Sequence, residues 1–391
     1  MKVAFLGPYR DGTGYSQAAI DNIQCANDAG IDVVCRPVRM SRPNSNNNRF
    51  KNLEDKDLKN VDAVIQINLP HTFQRKEGVK NIGMFYWETN HFRSSMWAES
   101  CNNMDEIWVT NSQQQQACMN SGVTKPIKIL EHPYDVNKTI SDKKLDIPSL
   151  EGKCVFYTIG EMTKRKNFAA LIRSYYSAFT KNENVALVIK TNVLGNDPQQ
   201  TMSLMNKFVD DIKKSVHIHR DLKNYPPILV ITEFLSEEQI SQLHSSCDIF
   251  VSPSHGEAIC LPAMDAMFHG NPVIVSNWGN FPELCYQQAD KYWQPEKDTF
   301  AHPGEIDCGW LIDGHLTYCF GMVNTFTDIY TGTEKWFDVN LCDFVNKLQL
   351  AYEAYIRDDE CIVGKRSAAK KAIQYFSYDK IGEDMKFFLE Q

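Results

Sequence analysis

Short apolar runs alternate along this chain with stretches whose apolar positions recur at helical spacing. In the first half, residues 2–6, 33–35, 61–67 (VDAVIQI), 82–87 and 106–109 read as buried strands. Residues 16–29 carry Ala19, Ile20, Ile23 and Ala26 on one helical face and stop at Gly30. A second helix over 113–121 stops at Gly122. The rhythm breaks at 41–52 (SRPNSNNNRFKN), which is polar and basic and predicts an exposed loop, either plain surface or an acceptor-binding segment. A polar, charged stretch at 137–152 reads as a linker. A second alternation follows, with strands over 154–159, 185–190, 228–232, 249–252 and 273–276 and helices over 168–179, 202–214, 237–245 and 262–269. Apolar strands separated by helices imply parallel sheets covered on both faces. The expected architecture is therefore α/β, with two Rossmann-like domains and a ligand cleft between them.

Composition narrows the function classes. The 391 residues are 43% hydrophobic, ample for two packed cores, and the net charge of -8 argues against a protein built to grip phosphate backbones. The opening MKVAFLGPYR has too short an apolar run for a secretory leader, and no stretch approaches a membrane span. The 12 cysteines form no CxxC pair, so we expect reduced thiols in a cytoplasmic protein, no metal site and no stable membrane insertion.

The chemistry concentrates in residues 252–277, SPSHGEAICLPAMDAMFHGNPVIVSN. A buried strand ends at Val251, and a loop with Gly256 and Glu257 follows. Pro262 suits a first helical position, and Gly270 with Asn271-Pro272 ends the helix. A short helix at the carboxyl end of a parallel strand aims unpaired N–H groups outward and can hold phosphate oxygens. Glu257 precedes that helix and Asp265 is expected in its first turn. Carboxylates flanking an anion site suit sugar hydroxyls, which donate hydrogen bonds to them. An ordinary strand–helix–strand unit also favours an acidic residue at its helix N-terminus and would by itself explain the Glu and Asp; the added Gly256, Pro262, Gly270 and Pro272 make the pattern more specific.

This segment resembles the E-x7-E region of retaining glycosyltransferases of family 4, whose fold is GT-B. Glu257–Ser276 reads EAICLPAMDAMFHGNPVIVS. The resemblance implies that Glu257 contacts donor-sugar hydroxyls and Asp265 the nucleotide ribose. It also implies that the loop amides of Gly256, Ala258, Ile259, Cys260 and Leu261 face sugar and phosphates. Asp265 is one methylene shorter than the family's glutamate, and Ala258 and Cys260 replace its usual glycines. Thr158–Asn167 (TIGEMTKRKN) resembles the family's basic loop. Lys166 matches its lysine, Glu161 stands where its arginine usually is, and Arg165 takes over that role. Lys166 and Arg165 would stabilise a departing diphosphate, although such a charge run alone is equally a solvated turn. Lys190, at the end of the predicted strand 185–190, joins the donor-binding set. The loop holding Gly12, Thr13 and Gly14 resembles the family's N-domain glycine loop. It is not GxGxxG, which weighs against a dinucleotide dehydrogenase. Glu88, after the strand ending at Trp87, is a candidate to orient the acceptor hydroxyl. His91 and His132 read as structural, and His255 as either loop or site. The amphipathic stretch 375–390 resembles the helix that crosses back onto the N-domain.

The sequence therefore predicts a nucleotide-sugar-dependent, retaining, metal-independent glycosyltransferase with no cofactor and a UDP- or GDP-sugar as substrate. Its expected domains are 1–145 (acceptor side), 151–370 (donor side) and 371–391 (crossing helix). The acceptor is expected to be a glycan, lipid or small molecule. One alternative is a hydroxylated base of DNA, with 36–51 and 213–223 as contact patches. Others are a GT-B epimerase or a non-catalytic sugar-nucleotide binder. Residues 284–339 carry no assignment.

Overall fold

The computed structural model describes residues 1–40, 49–92, 95–285, 292–294, 299–301, 308–320, 322 and 329–391. Most of the polar loop expected at 41–52 therefore lies outside the described residues, as do parts of 284–339. The chain divides into two units. The first comprises Met1–Asn137, Tyr318–Lys335 and Gln374–Gln391, and the second Lys138–Thr317 and Trp336–Ile373.

The first unit is built on β1 (Lys2–Gly7), β2 (Asp32–Pro37), β3 (Ala63–Ile67), β4 (Lys80–Met84), β5 (Glu106–Val109) and β6 (Ile127–Ile129). They form one parallel sheet in the order β2-β1-β3-β4-β5-β6. Val3, Ala4 and Phe5 are all buried, because helices cover both faces of β1. Between the strands run α1 (Gly14–Asp28), α2 (Lys51–Glu54), α3 (Ser95–Asn102) and α4 (Ser112–Asn120). Thr13 caps α1 by accepting from Ser16 N at 3.1 Å, and Asn111 caps α4 from Gln114 N at 2.9 Å. The last helix, α12 (Tyr378–Glu390), packs on α1. A Cβ on Gly382 would come within 2.7 Å of the Ala29 Cβ, so the two helices meet where a side chain is missing. Tyr378 donates to Asp21 Oδ1 at 2.9 Å.

The strand expected over 82–87 ends at Met84. Phe85 and Trp87 leave the sheet to join Phe73, Phe92 and Trp97 in an aromatic cluster, so the apolar run is longer than the strand. Residues 318–335 were expected in the second domain. They group with the first unit, and Ile329 and Tyr330 pack on this same cluster.

The second unit has β7 (Cys154–Glu161), β8 (Val185–Asn192), β9 (Ile228–Ile231), β10 (Ile249–Ser252), β11 (Val273–Ser276), the short pair β12 (Tyr292–Gln294) and β13 (Thr299–Ala301), and β14 (Gly309–Ile312). Its main sheet is parallel in the order β14-β11-β10-β7-β8-β9. The helices are α5 (Phe168–Ala178), α6 (Pro198–Val216), α7 (Glu237–Ser246), α8 (Leu261–His269), α9 (Phe281–Cys285), α10 (Leu341–Arg357) and α11 (Glu360–Ala372). Capping boxes at Asp197/Gln200 and Ser236/Gln239 start α6 and α7. Both sheets are thus parallel and α/β, as the alternation predicts.

Each sheet contains a point where successive connections run in opposite directions. In the first unit it falls between β1 and β3, and in the second between β7 and β10. Loops leaving the carboxyl ends of those strands diverge and open a crevice, where open α/β sheets bind ligands.

Candidate functional site

In the second unit the loops after β7 and β10 flank that crevice, and they are the two segments singled out in the sequence. After β7 the chain makes a tight turn over Lys164–Lys166. Asn167 then adopts the left-handed conformation at φ 54 and caps α5. The loop after β10 is sewn to this turn. His255 N donates to Arg165 O at 2.8 Å, Ser254 Oγ to the same carbonyl at 3.1 Å, and Arg165 Nη1 to Gly256 O at 2.6 Å.

This stitching brings three charged side chains together. Glu257 is only 3% exposed, yet its carboxylate meets Lys166 Nζ at 2.6 Å and Arg165 Nη1 at 2.8 Å. Burial alone pushes the Glu257 carboxyl up, but the Arg165 and Lys166 charges outweigh it and hold the group below its ordinary range. The Lys166 stem runs over Gly160, where a Cβ would already be in contact at 3.4 Å. Below Glu257 the loop after β11 closes the packing. Asn280 N donates to Glu257 O at 2.9 Å, and Gly279 sits at φ +69 with its virtual Cβ only 2.6 Å from that carbonyl oxygen. Only glycine fits there without displacing the Glu257 backbone.

Helix α8 begins at Leu261, so Pro262 is its second residue and Asp265 lies in the second turn. The first turn holds no acidic residue. The expectation that Pro262 opens the helix and Asp265 sits in its first turn is corrected by one register step. The first-turn N–H groups have no intrahelical partner, so a proline costs no hydrogen bond at the second helical position any more than at the first. Gly270 caps the helix at φ 82, as its position predicts. Ala258 and Cys260 are buried, and Ile259 and Leu261 are half-buried at the rim. Burial pushes the Cys260 thiol up to about 12, so it stays protonated. Asp265 is ion-paired with Lys138. Lys190 lies on β8 in register with Ile159, half-buried. Desolvation lowers its pKa, against the opposing pull of Glu233. His255 stacks on Trp336 at 4.4 Å, and its Nδ1 meets Phe337 O at 2.7 Å, which ties it into the loop's framework.

In the first unit, the loop after β1 carries Gly12 at φ +68, the capping Thr13 and Gly14 as the first residue of α1. Its charged neighbours turn back into the unit: Arg10 pairs with Glu54 and Asp11 accepts from Met40 N at 3.0 Å. Glu88, beyond β4, is hydrogen-bonded by the Tyr330 hydroxyl, and the Tyr330 ring stacks on Trp87 at 5.2 Å. His132 is buried beside Asp21, and His91 lies against Asn90. Tyr330, Gly279 and Lys138 escaped the sequence reading. Gly279 alone had a local signal, a glycine just past a buried strand.

Residues 153–302 match the family model described as Glycosyl transferases group 1. The matched segment contains Arg165, Lys166, Glu257 and Asp265. Among curated proteins, the chain is 33% identical over 81 residues to a sulfoquinovosyl transferase of Arabidopsis thaliana, covering 20% of this chain and 15% of that protein. It is 22% identical over 219 residues to an uncharacterized glycosyltransferase of Methanocaldococcus jannaschii, covering 54% and 50%. The chain therefore spans half or less of the curated relatives it matches. Sucrose-phosphate synthase of Thermosynechococcus elongatus superposes with a TM-score of 0.63 at 13% identity, over 100% of this chain and 98% of that one. Anabaena HepE in complex with UDP-glucose gives 0.61 at 14%, over 100% and 99%. These likenesses show the fold, two Rossmann-like parallel-sheet domains of the GT-B type. Among the described residues no helix is long and apolar enough to cross a membrane.

Proposed function

We propose that this chain moves a sugar from a nucleotide-diphosphate donor to an acceptor hydroxyl, with retention at the anomeric carbon and without a metal. The observation that carries the proposal is Glu257, buried at the crevice of the second sheet and clamped by Arg165 and Lys166. One carboxylate and two cations leave an excess positive charge beside the amino end of α8, a setting suited to a diphosphate. Glu257 accepts hydrogen bonds from donor-sugar hydroxyls, and Arg165 and Lys166 neutralise the charge that grows on the leaving diphosphate. In a front-face displacement the acceptor oxygen bonds the anomeric carbon as the bond to the phosphate oxygen breaks. The acceptor proton passes to that departing oxygen, so no enzyme nucleophile is consumed. Glu88 of the first unit is assigned to orient the acceptor hydroxyl, and the loop of Gly12, Thr13 and Gly14 to approach the donor phosphates. HepE is described in complex with UDP-glucose, which makes UDP-sugars the first donors to test here. The acceptor class is a glycan, lipid or small molecule.

The test begins with a thermal-shift screen of UDP-, GDP- and ADP-sugars. A ligand present at a hundred times its Kd raises stability by about 2.7 kcal/mol. The hit is then supplied with candidate acceptors while free nucleotide is measured. Acceptor-dependent nucleotide release supports transfer. Conversion of the donor sugar without an acceptor would establish an epimerase instead.

A further inference from the structure

One edge of the second sheet is open. β9 is its last strand, and among the described residues no strand pairs with its far side. Leu187 N donates to Pro227 O at 3.1 Å, with Leu187 in register with Ile228. That bond turns the peptide groups of Leu229 and Ile231 toward β8 and those of Ile228 and Val230 outward. The strand is entirely aliphatic, ILVI, and all four residues are half-buried. A cavity of about 460 Å³ lies beside it, lined by Asp210 and Lys213 of α6 and by Tyr225, Pro226, Ile228 and Val230. Just past the strand, Phe234 is 94% exposed. An apolar open edge of this kind is a template for another strand.

The two ends of that edge carry opposite charge. Before β9, the Tyr225 hydroxyl donates to Lys213 O at 3.0 Å and accepts from Ile218 N at 3.1 Å, which ties the end of α6 to the start of the strand. Residues 213–223 carry Lys213, Lys214, Arg220 and Lys223 against the single acid Asp221. After β9 come Glu233, Glu237 and Glu238, all exposed and with no cation among them. We propose that β9 is the interface of a symmetric dimer, in which two copies of this chain join their second-unit sheets edge to edge, antiparallel, about a two-fold axis at Val230. The basic start of each copy then meets the acidic finish of the other, whereas a parallel neighbour would set like charges together. The same axis brings Phe234 opposite Pro226 of the other copy, at the mouth of the cavity. An extended peptide of another protein would satisfy the backbone edge alone. A second copy also matches both charged ends and supplies the aromatic ring.

The experiment is sedimentation equilibrium of the full chain over about a hundredfold range of concentration. Wild type should approach twice the chain mass. Val230→Pro removes an outward N–H that β8 does not use, and it should leave a monomer with an unchanged circular dichroism spectrum. Independently of that backbone change, Arg220→Glu with Lys223→Glu should weaken dimerisation about tenfold, and so should Glu237→Lys with Glu238→Lys. All four reversals in one chain should restore the wild-type affinity, because each end again meets its opposite. A monomer at every concentration overturns the proposal and leaves the edge to a different occupant. So does a dimer that keeps its affinity in both charge variants, or one that the four reversals fail to restore.

Discussion

The two sheets have the same kind of topological break, yet their loops resolve charge in opposite ways. In the second unit, the turn after β7 and the loop after β10 face each other, and Glu257, Arg165 and Lys166 meet between them. In the first unit, the loop after β1 sends its charges inward. Arg10 and Tyr9 both serve Glu54, and Asp11 serves a backbone amide. The carboxylate beyond β4, Glu88, is met by a tyrosine 242 residues away. The difference teaches that Glu257 of the second unit finds its partners on neighbouring loops of its own sheet, whereas Glu88 of the first unit is met by a segment borrowed from far along the chain.

The sharpest way to break this contrast is to remove the shared carboxylate. Glu257→Ala should lower transfer about a thousandfold, the scale of losing a preorganised polar group at the reacting centre. It also leaves Arg165 and Lys166 facing each other, which should cost about 3 kcal/mol of stability. Glu257→Gln should be milder in stability and nearly as severe in activity. The pH dependence follows from the direction of the shift. The folded carboxyl titrates below its ordinary value of 4.5, so its stabilisation is fully present above that value. It is lost as pH falls through the lower folded pKa. A melting-temperature profile from pH 7 to 3 should lose this acid limb in Glu257→Gln. Near-normal turnover in either variant would remove Glu257 from the chemistry.

A smaller effect tests whether the second site is held by backbone as well as charge. Gly279→Ala places a methyl 2.6 Å from the Glu257 carbonyl at a φ of +69. The strain should cost about 1–3 kcal/mol. If the loop yields by moving Glu257, donor affinity falls too. A variant with wild-type melting temperature and donor affinity would show that the loop after β11 does not fix Glu257.

How much of this was legible in the sequence follows from the same contrast. The strands β5, β10 and β11 lie where apolar runs place them, because fully buried parallel strands have no polar face to confuse the pattern. Glu257, Arg165 and Lys166 were legible because each lies within a few residues of a strand end. The partnership between them needed only that β7 and β10 be neighbours. The apolar pattern places the start of α8 one residue late, since Pro262 is compatible with either of the first two helical positions. Phe85 and Trp87 read as strand in the sequence because an apolar run does not distinguish a sheet from an aromatic cluster. Lys138 and Tyr330 were invisible, since nothing local to either residue encodes a partner 127 or 242 positions away.

The gentlest test concerns that borrowed tyrosine. Tyr330→Phe keeps the ring that stacks on Trp87 and removes only the hydroxyl that donates to Glu88. A hydrogen bond to a charged group contributes about 1.5–3 kcal/mol, and solvent admitted to the half-buried site recovers part of it. A loss of about 1 kcal/mol in denaturant unfolding is therefore expected. The decisive measurement is the pair with Glu88→Gln. If Tyr330 acts through Glu88, the second substitution should add little to the first, giving a coupling of about 1 kcal/mol in the double-mutant cycle. If the two losses simply add, Tyr330 contributes packing alone. Glu88 would then hold its place without the borrowed segment, and the contrast between the two sheets would narrow to their charges.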